Sequence, residues 1–182
     1  MTGLFGGAHP DYDLLLTQAD KLQRITGEYK LKLEIMRRID SDFGPLDWRV
    51  PESHAIYWAV CGRKYGGKDD ALQCERVIFQ SLKALFMHGR QEAGTDGRLI
   101  QEPDMDLLGK ITKAYEAVRA KYPEEVTIKS SHIDFLREAV NTLNTHNRQT
   151  EARDLFNSIS AKFPSDETSQ GYEAFVSRSR NR

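Results

Sequence analysis

Apolar residues recur at helical spacing along most of this chain. Tyr12, Leu15, Leu16, Ala19 and Leu22 share a face and predict a first helix that ends near Gly27. Leu31, Ile35 and Ile39, with Leu33 and Met36 beside them, predict a second, which stops before Gly44-Pro45. The turn between them is short, so the two should pack as an antiparallel hairpin. A third helix opens at Pro51-Glu52, where proline suits the first turn and a carboxylate suits the positive end of the dipole. Its centre, Ala55 to Cys61, is apolar on every side, which predicts cover on both flanks and places Trp58 in the core. Gly66-Gly67 ends it. Asp69 or Asp70 then caps a fourth helix carrying Ala71, Cys74, Ile78, Leu82 and Leu85.

The periodicity breaks over residues 89–103, where Gly89, Gly94, Gly97 and Pro103 predict a long loop or a small β-hairpin. Such a segment is either a functional loop or a solvated connector between repeat blocks. Beyond it, Leu107, Leu108, Ile111, Ala114, Tyr115 and Val118 predict a fifth helix ending at Tyr122-Pro123. A sixth opens after Ser130-Ser131 on Ile133, Leu136, Ala139, Val140 and Leu143. A seventh carries Ala152, Leu155, Phe156 and Ile159 to Phe163-Pro164, and a last helix runs from about Asp166 on Tyr172, Phe175 and Val176. The expected organisation is an all-α domain over 11–177. Its hairpin blocks are 11–43, 51–88, 104–122 and 131–164, with a final helix at 166–177, a flexible lead-in over 1–10 and a frayed basic tail over 178–182.

Two helix endings repeat in register. Tyr115, Val118, Ala120, Lys121, Tyr122 and Pro123 recur as Phe156, Ile159, Ala161, Lys162, Phe163 and Pro164, the fixed-period echo of stacked helical repeats. Counting back from Pro164, Ala152 and Phe156 take the small and aromatic positions of a second repeat helix, with Leu136, Ala139 and Leu143 in the first. Over 131–164 the chain resembles a tetratricopeptide repeat, although Val140 stands where that motif has a small residue. The resemblance implies antiparallel hairpins stacked as a short right-handed solenoid, a shape that binds a peptide or helix of another protein.

Charge and composition narrow the partners. The 182 residues carry 26 Lys and Arg against 27 Asp and Glu, a net charge of −1 that favours neither nucleic acid nor an anionic membrane. No apolar run reaches the ~20 residues of a membrane-spanning helix. Met1 to Pro10 lacks the basic and apolar regions of a signal peptide. The chain is also compatible with a segment of a longer protein. Two cysteines, Cys61 and Cys74, point to buried free thiols in a reducing compartment, the cytoplasm.

Candidate chemistry is sparse. His54, Cys61, Cys74 and His88 do not have the close-paired spacing of a zinc site. Asp69-Asp70 and Glu124-Glu125 stand at helix starts, where the dipole accounts for them. The glycine-rich Gly62 to Lys68 follows no strand, so it does not read as a phosphate loop. No cofactor and no reaction are expected. Asp47-Trp48-Arg49 is the candidate partner-binding stretch. Trp and Arg dominate interface energetics, so it reads as a hot spot. Alternatively Trp48 plugs the gap between two hairpins while Asp47 and Arg49 tie the loop down. The expected function is a non-catalytic protein-interaction module. The alternatives are an adaptor segment of a larger assembly, or a helical enzyme or ligand carrier with a pocket under residues 89–103.

Overall fold

The computed structural model describes residues 18–93 and 98–179. The chain is mostly helical, with one small antiparallel hairpin. It forms two compact units, residues 1–114 and 115–182.

In the first unit, α1 (Ala19–Gln23) runs into a wider helical turn, Arg24–Glu28. The part of the expected first helix over 12–17 lies outside the described residues. Lys30 takes a positive φ of 58° and redirects the chain, and Leu31 N–H closes the turn on Ile25 O at 3.0 Å. α2 (Leu33–Asp42) follows, with Met36 and Ile39 fully buried. Its end is held from far along the chain: Lys110 Nζ donates to the carbonyls of Asp40 and Ser41, both at 2.9 Å. Gly44 is required there, because a Cβ would stand 2.5 Å from Leu46 N and 2.7 Å from Asp40 Oδ1.

α3 (Pro51–Gly62) begins at the expected proline, and α4 (Lys68–His88) begins after Gly67, whose N–H donates to Asp70 Oδ2 at 3.1 Å. The two form an antiparallel helix pair across a short turn. Ile56, Tyr57, Ile78, Leu82, Leu85 and Phe86 are among its fully buried side chains. Arg63, just past α3, reaches Glu75 on α4, with Nη1 at 3.1 Å from Oε1 and the carboxylate side chain 2 % exposed. The placement of Trp58 in the core is corrected: it is 52 % exposed. A run that is apolar on all sides has no periodicity to say which side faces out, and here one side lacks cover. Cys61 and Cys74 are free and half-buried.

The segment after Gly89 is a hairpin, β1 (Arg90–Ala93) against β2 (Leu99–Glu102), with Arg90 opposite Glu102 and Gln91 opposite Gln101. Residues 94–97, between the two strands, lie outside the described residues. Asp104 N–H donates to Phe86 O at 2.9 Å, and Arg90 Nη2 pairs with Asp104 and Asp106 at 3.5 and 3.2 Å, so the hairpin base is braced. A single turn, Met105–Leu107, then leads into α5 (Leu108–Lys121), within which the two units divide.

In the second unit, α6 (Val126–Thr145) and α7 (Gln149–Lys162) form the second antiparallel pair. α6 starts five residues before the expected Ser131. The apolar stripe extends back through the buried Ile128, and the β-branched Val126-Thr127-Ile128 had weakened the helical signal. The last helix is also revised into two pieces, α8 (Asp166–Ser169) and α9 (Tyr172–Ser179), broken at Gly171 with φ +85°. Arg178, expected in a frayed tail, belongs to α9; residues 180–182 lie outside the described residues. Ser165 caps α8 reciprocally with Thr168.

His132 is the polar group the second unit buries most completely, at 1 % exposure. Its ring stacks on Tyr115 at 4.8 Å, and Phe163 meets it edge-on at 6.0 Å. Arg119 Nη1 stands 3.4 Å from Nδ1. Burial, reinforced by the Arg119 charge and least by that of Lys162, outweighs the opposing pull of Glu116 and pushes the imidazole down to about 4. The folded state therefore holds His132 neutral while the unfolded chain takes up a proton below the ordinary value of 6.5. Stability is level above that value and falls as pH drops from 6.5 towards 4. At pH 5 the expected loss is about 2 kcal/mol relative to pH 7. Urea titrations followed by circular dichroism at the two pH values check this against His132→Phe, whose acid loss should be smaller by that amount.

Candidate functional site

The described residues of the first unit surround a cleft of about 640 Å³, half open to solvent. It forms because the chain doubles back between α1 and α3. Ile25, Leu31 and Met36 supply an apolar floor, and all three are buried. Trp48, Val50 and Pro51 form one wall, and Tyr29 and His54 face each other as edge-to-face rings 5.6 Å apart. Lys21, Arg24 and Arg49 stand among the lining residues. The size and apolar lining suit a side chain or short segment of another molecule.

A network centred on Asp40 makes the wall rigid. Asp40 is 2 % exposed, and its carboxylate accepts from Leu46 N–H at 2.9 Å and from Trp48 Nε1–H at 3.0 Å. Trp48 is itself 4 % exposed and packs edge-on to Tyr57 at 6.5 Å. The Tyr57 hydroxyl accepts from Lys32 N–H at 2.9 Å, tying the segment that follows Lys30 to α3. Ser53 Oγ donates to Asp47 O at 2.7 Å, and His54 Nε2 lies 2.9 Å from Trp48 O. A carbonyl can only accept, so Nε2 carries the proton. Asp47 grips Arg49 through Nε and Nη2, and this hydrogen bonding holds the guanidinium all the more firmly in its charged form.

Asp47, Trp48 and Arg49 thus serve two purposes that the sequence reading set against each other. Trp48 is packed and hydrogen-bonded within the fold, and it and Arg49 line the cleft. Asp47 orients Arg49 and takes no place in the lining. Residues the sequence did not single out complete the site: Lys21, Arg24, Tyr29, Leu31 and Met36. His54 is engaged with Trp48 O, and among the described residues no group of His, Cys, Asp or Glu is arranged to hold a metal ion. No described helix is long and apolar enough to cross a membrane. No family model, curated protein or solved structure matches this chain.

Proposed function

We propose that this chain is a non-catalytic helical protein-interaction module that takes a peptide or helix of a partner protein into the cleft between α1 and α3. The observation that carries this reading is the cleft itself, an apolar floor walled by a tryptophan held rigid by Asp40. A wall fixed in this way is preorganised, so a ligand binds without the entropic cost of ordering it. The repeat-like part of the proposal, stacked hairpins of tetratricopeptide type, is supported by similar burial at most positions of the two echoing helix ends, although Tyr122 is buried and its counterpart Phe163 only half-buried. Tyr115 and Val118 are buried as are Phe156 and Ile159, while Ala120 and Ala161 are exposed. Ala152 is fully buried, as a close-approach position requires. Free thiols at Cys61 and Cys74 suit the cytoplasm.

Selection of a displayed random-peptide library on the full chain tests the module. Enriched peptides should lose at least about tenfold in affinity on Tyr29→Glu, the cost of removing one interface aromatic. They should be indifferent to Val126→Glu, an exposed position of the other unit. Failure of any peptide to enrich, or binding that ignores Tyr29→Glu in a folded variant, would sink the reading.

The adaptor alternative draws on a different observation, the exposed apolar side chains Trp58, Tyr65 and Val77 on and beside the α3–α4 pair. It predicts concentration-dependent association in sedimentation that Trp58→Glu abolishes. A monomer at all concentrations removes support for it.

A further inference from the structure

Resting on the reading of the cleft as a docking site, we propose that its occupant is an acidic amphipathic segment of a partner protein: one bulky apolar side chain, flanked by carboxylates. The floor accounts for the apolar anchor, since Ile25, Leu31 and Met36 offer no polar side-chain atom to satisfy a buried hydroxyl or amide. The rim accounts for the charge. Lys21, Arg24 and Arg49 all line the cleft, and no Asp or Glu is found among the described lining residues.

The nearby carboxylates do not cancel this field. Glu28 pairs with Arg24 at 3.6 Å, but the two side chains are 64 % and 63 % exposed, so the pair is weak and a ligand carboxylate can replace it. Asp47 is only 10 % exposed and sits behind Arg49, holding Nε and Nη2. It acts as an orienter, and Nη1 carries no bond to any described residue. Lys21 likewise has no carboxylate partner among the described residues. It lies three positions before Arg24, one helical turn away on the same face. Lys21 on α1, Arg24 in the turn that follows it and Arg49 beside Trp48 therefore set three cations around the apolar floor. A segment entering the cleft meets positive charge from three lining residues, and a basic segment is repelled.

Fluorescence anisotropy of the full chain with two labelled synthetic peptides tests this. Both carry the same central Leu and Phe; one is flanked by Glu and the other by Lys. The acidic peptide should bind at least about tenfold tighter near 50 mM salt and lose most of that advantage near 500 mM. Lys21→Glu with Arg24→Glu should reverse the preference without altering the melt, and Tyr29→Ala should weaken both peptides. An acidic peptide with Ala in place of its anchors should bind poorly.

Equal binding of the two peptides, or a preference unmoved by the double reversal, overturns the proposal. So does undiminished binding of the anchor-less acidic peptide. Co-sedimentation with phosphatidylserine vesicles that depends on Lys21 and Arg24, without acidic-peptide binding, would assign the rim to a lipid surface instead. Neutral or basic peptides enriched by display and sensitive to Tyr29→Glu would leave the docking reading intact and overturn only the acidic partner. If display enriches nothing and neither synthetic peptide binds, the docking reading itself fails.

Discussion

Asp40→Ala lowers the stability of the first unit by about 4 kcal/mol, because two buried donors lose their shared acceptor at once. Leu46 N–H and Trp48 Nε1–H both point at this carboxylate from 2.9 and 3.0 Å, with Asp40 itself 2 % exposed. Neither donor has water to turn to, and each hydrogen bond is strengthened by the charge on its acceptor. Asp40→Asn keeps one acceptor oxygen but sets an amide N–H₂ against the other donor, so an intermediate loss is expected. The indole reports the outcome directly. In a Trp58→Phe background Trp48 is the only tryptophan, and its emission in the folded variant should shift to the red as the wall loosens. Urea midpoints from the same signal give the free energy. Wild-type emission and midpoint in Asp40→Ala would show that Asp40 does not hold the wall.

Arg63→Ala is expected to cost about 3 kcal/mol, since it strands the Glu75 carboxylate in the α3–α4 interface without its counter-charge. Glu75 is 2 % exposed on its side chain and Arg63 28 %, so the arginine can be removed more easily than the glutamate can be rehydrated. The double replacement Arg63→Met with Glu75→Leu should recover most of the loss, because shape is kept and no lone charge is buried. A double-mutant cycle from urea melts measures the coupling. If Arg63→Ala costs no more than an exposed ion pair, water reaches Glu75 and the pair contributes little to the unit.

The helices were legible where punctuation and periodicity agreed. Pro51, Gly67 with Asp70, and Phe163-Pro164 mark boundaries by chemistry that acts within a few residues, and the structure puts boundaries there. Trp58 was misplaced because an unbroken apolar run contains no directional information; only the presence or absence of a neighbour decides which side is wet. Val126 to Ser131 were missed because β-branched residues argue locally against helix, and the tertiary burial of Ile128 overrode them. The stretch Asp47 to Arg49 stood out by residue type, but the cleft did not. Lys21, Tyr29, Leu31 and Met36 share no spacing or motif with it, and they reach Trp48 only through the reversal at Lys30 and the tie from Lys32 N–H to Tyr57.

The grip of Lys110 on the carbonyls of Asp40 and Ser41 has a consequence for the order in which the chain assembles. The α3–α4 and α6–α7 pairs join neighbours across turns of a few residues, so they close early. The lysine must instead bring together points 69 and 70 residues apart, a span whose closure entropy is met only after the intervening helices are in place. On the ribosome, the end of α2 gains this latch only once α5 has emerged, whereas the Asp40 contacts to Leu46 and Trp48, six and eight residues away, can form before it.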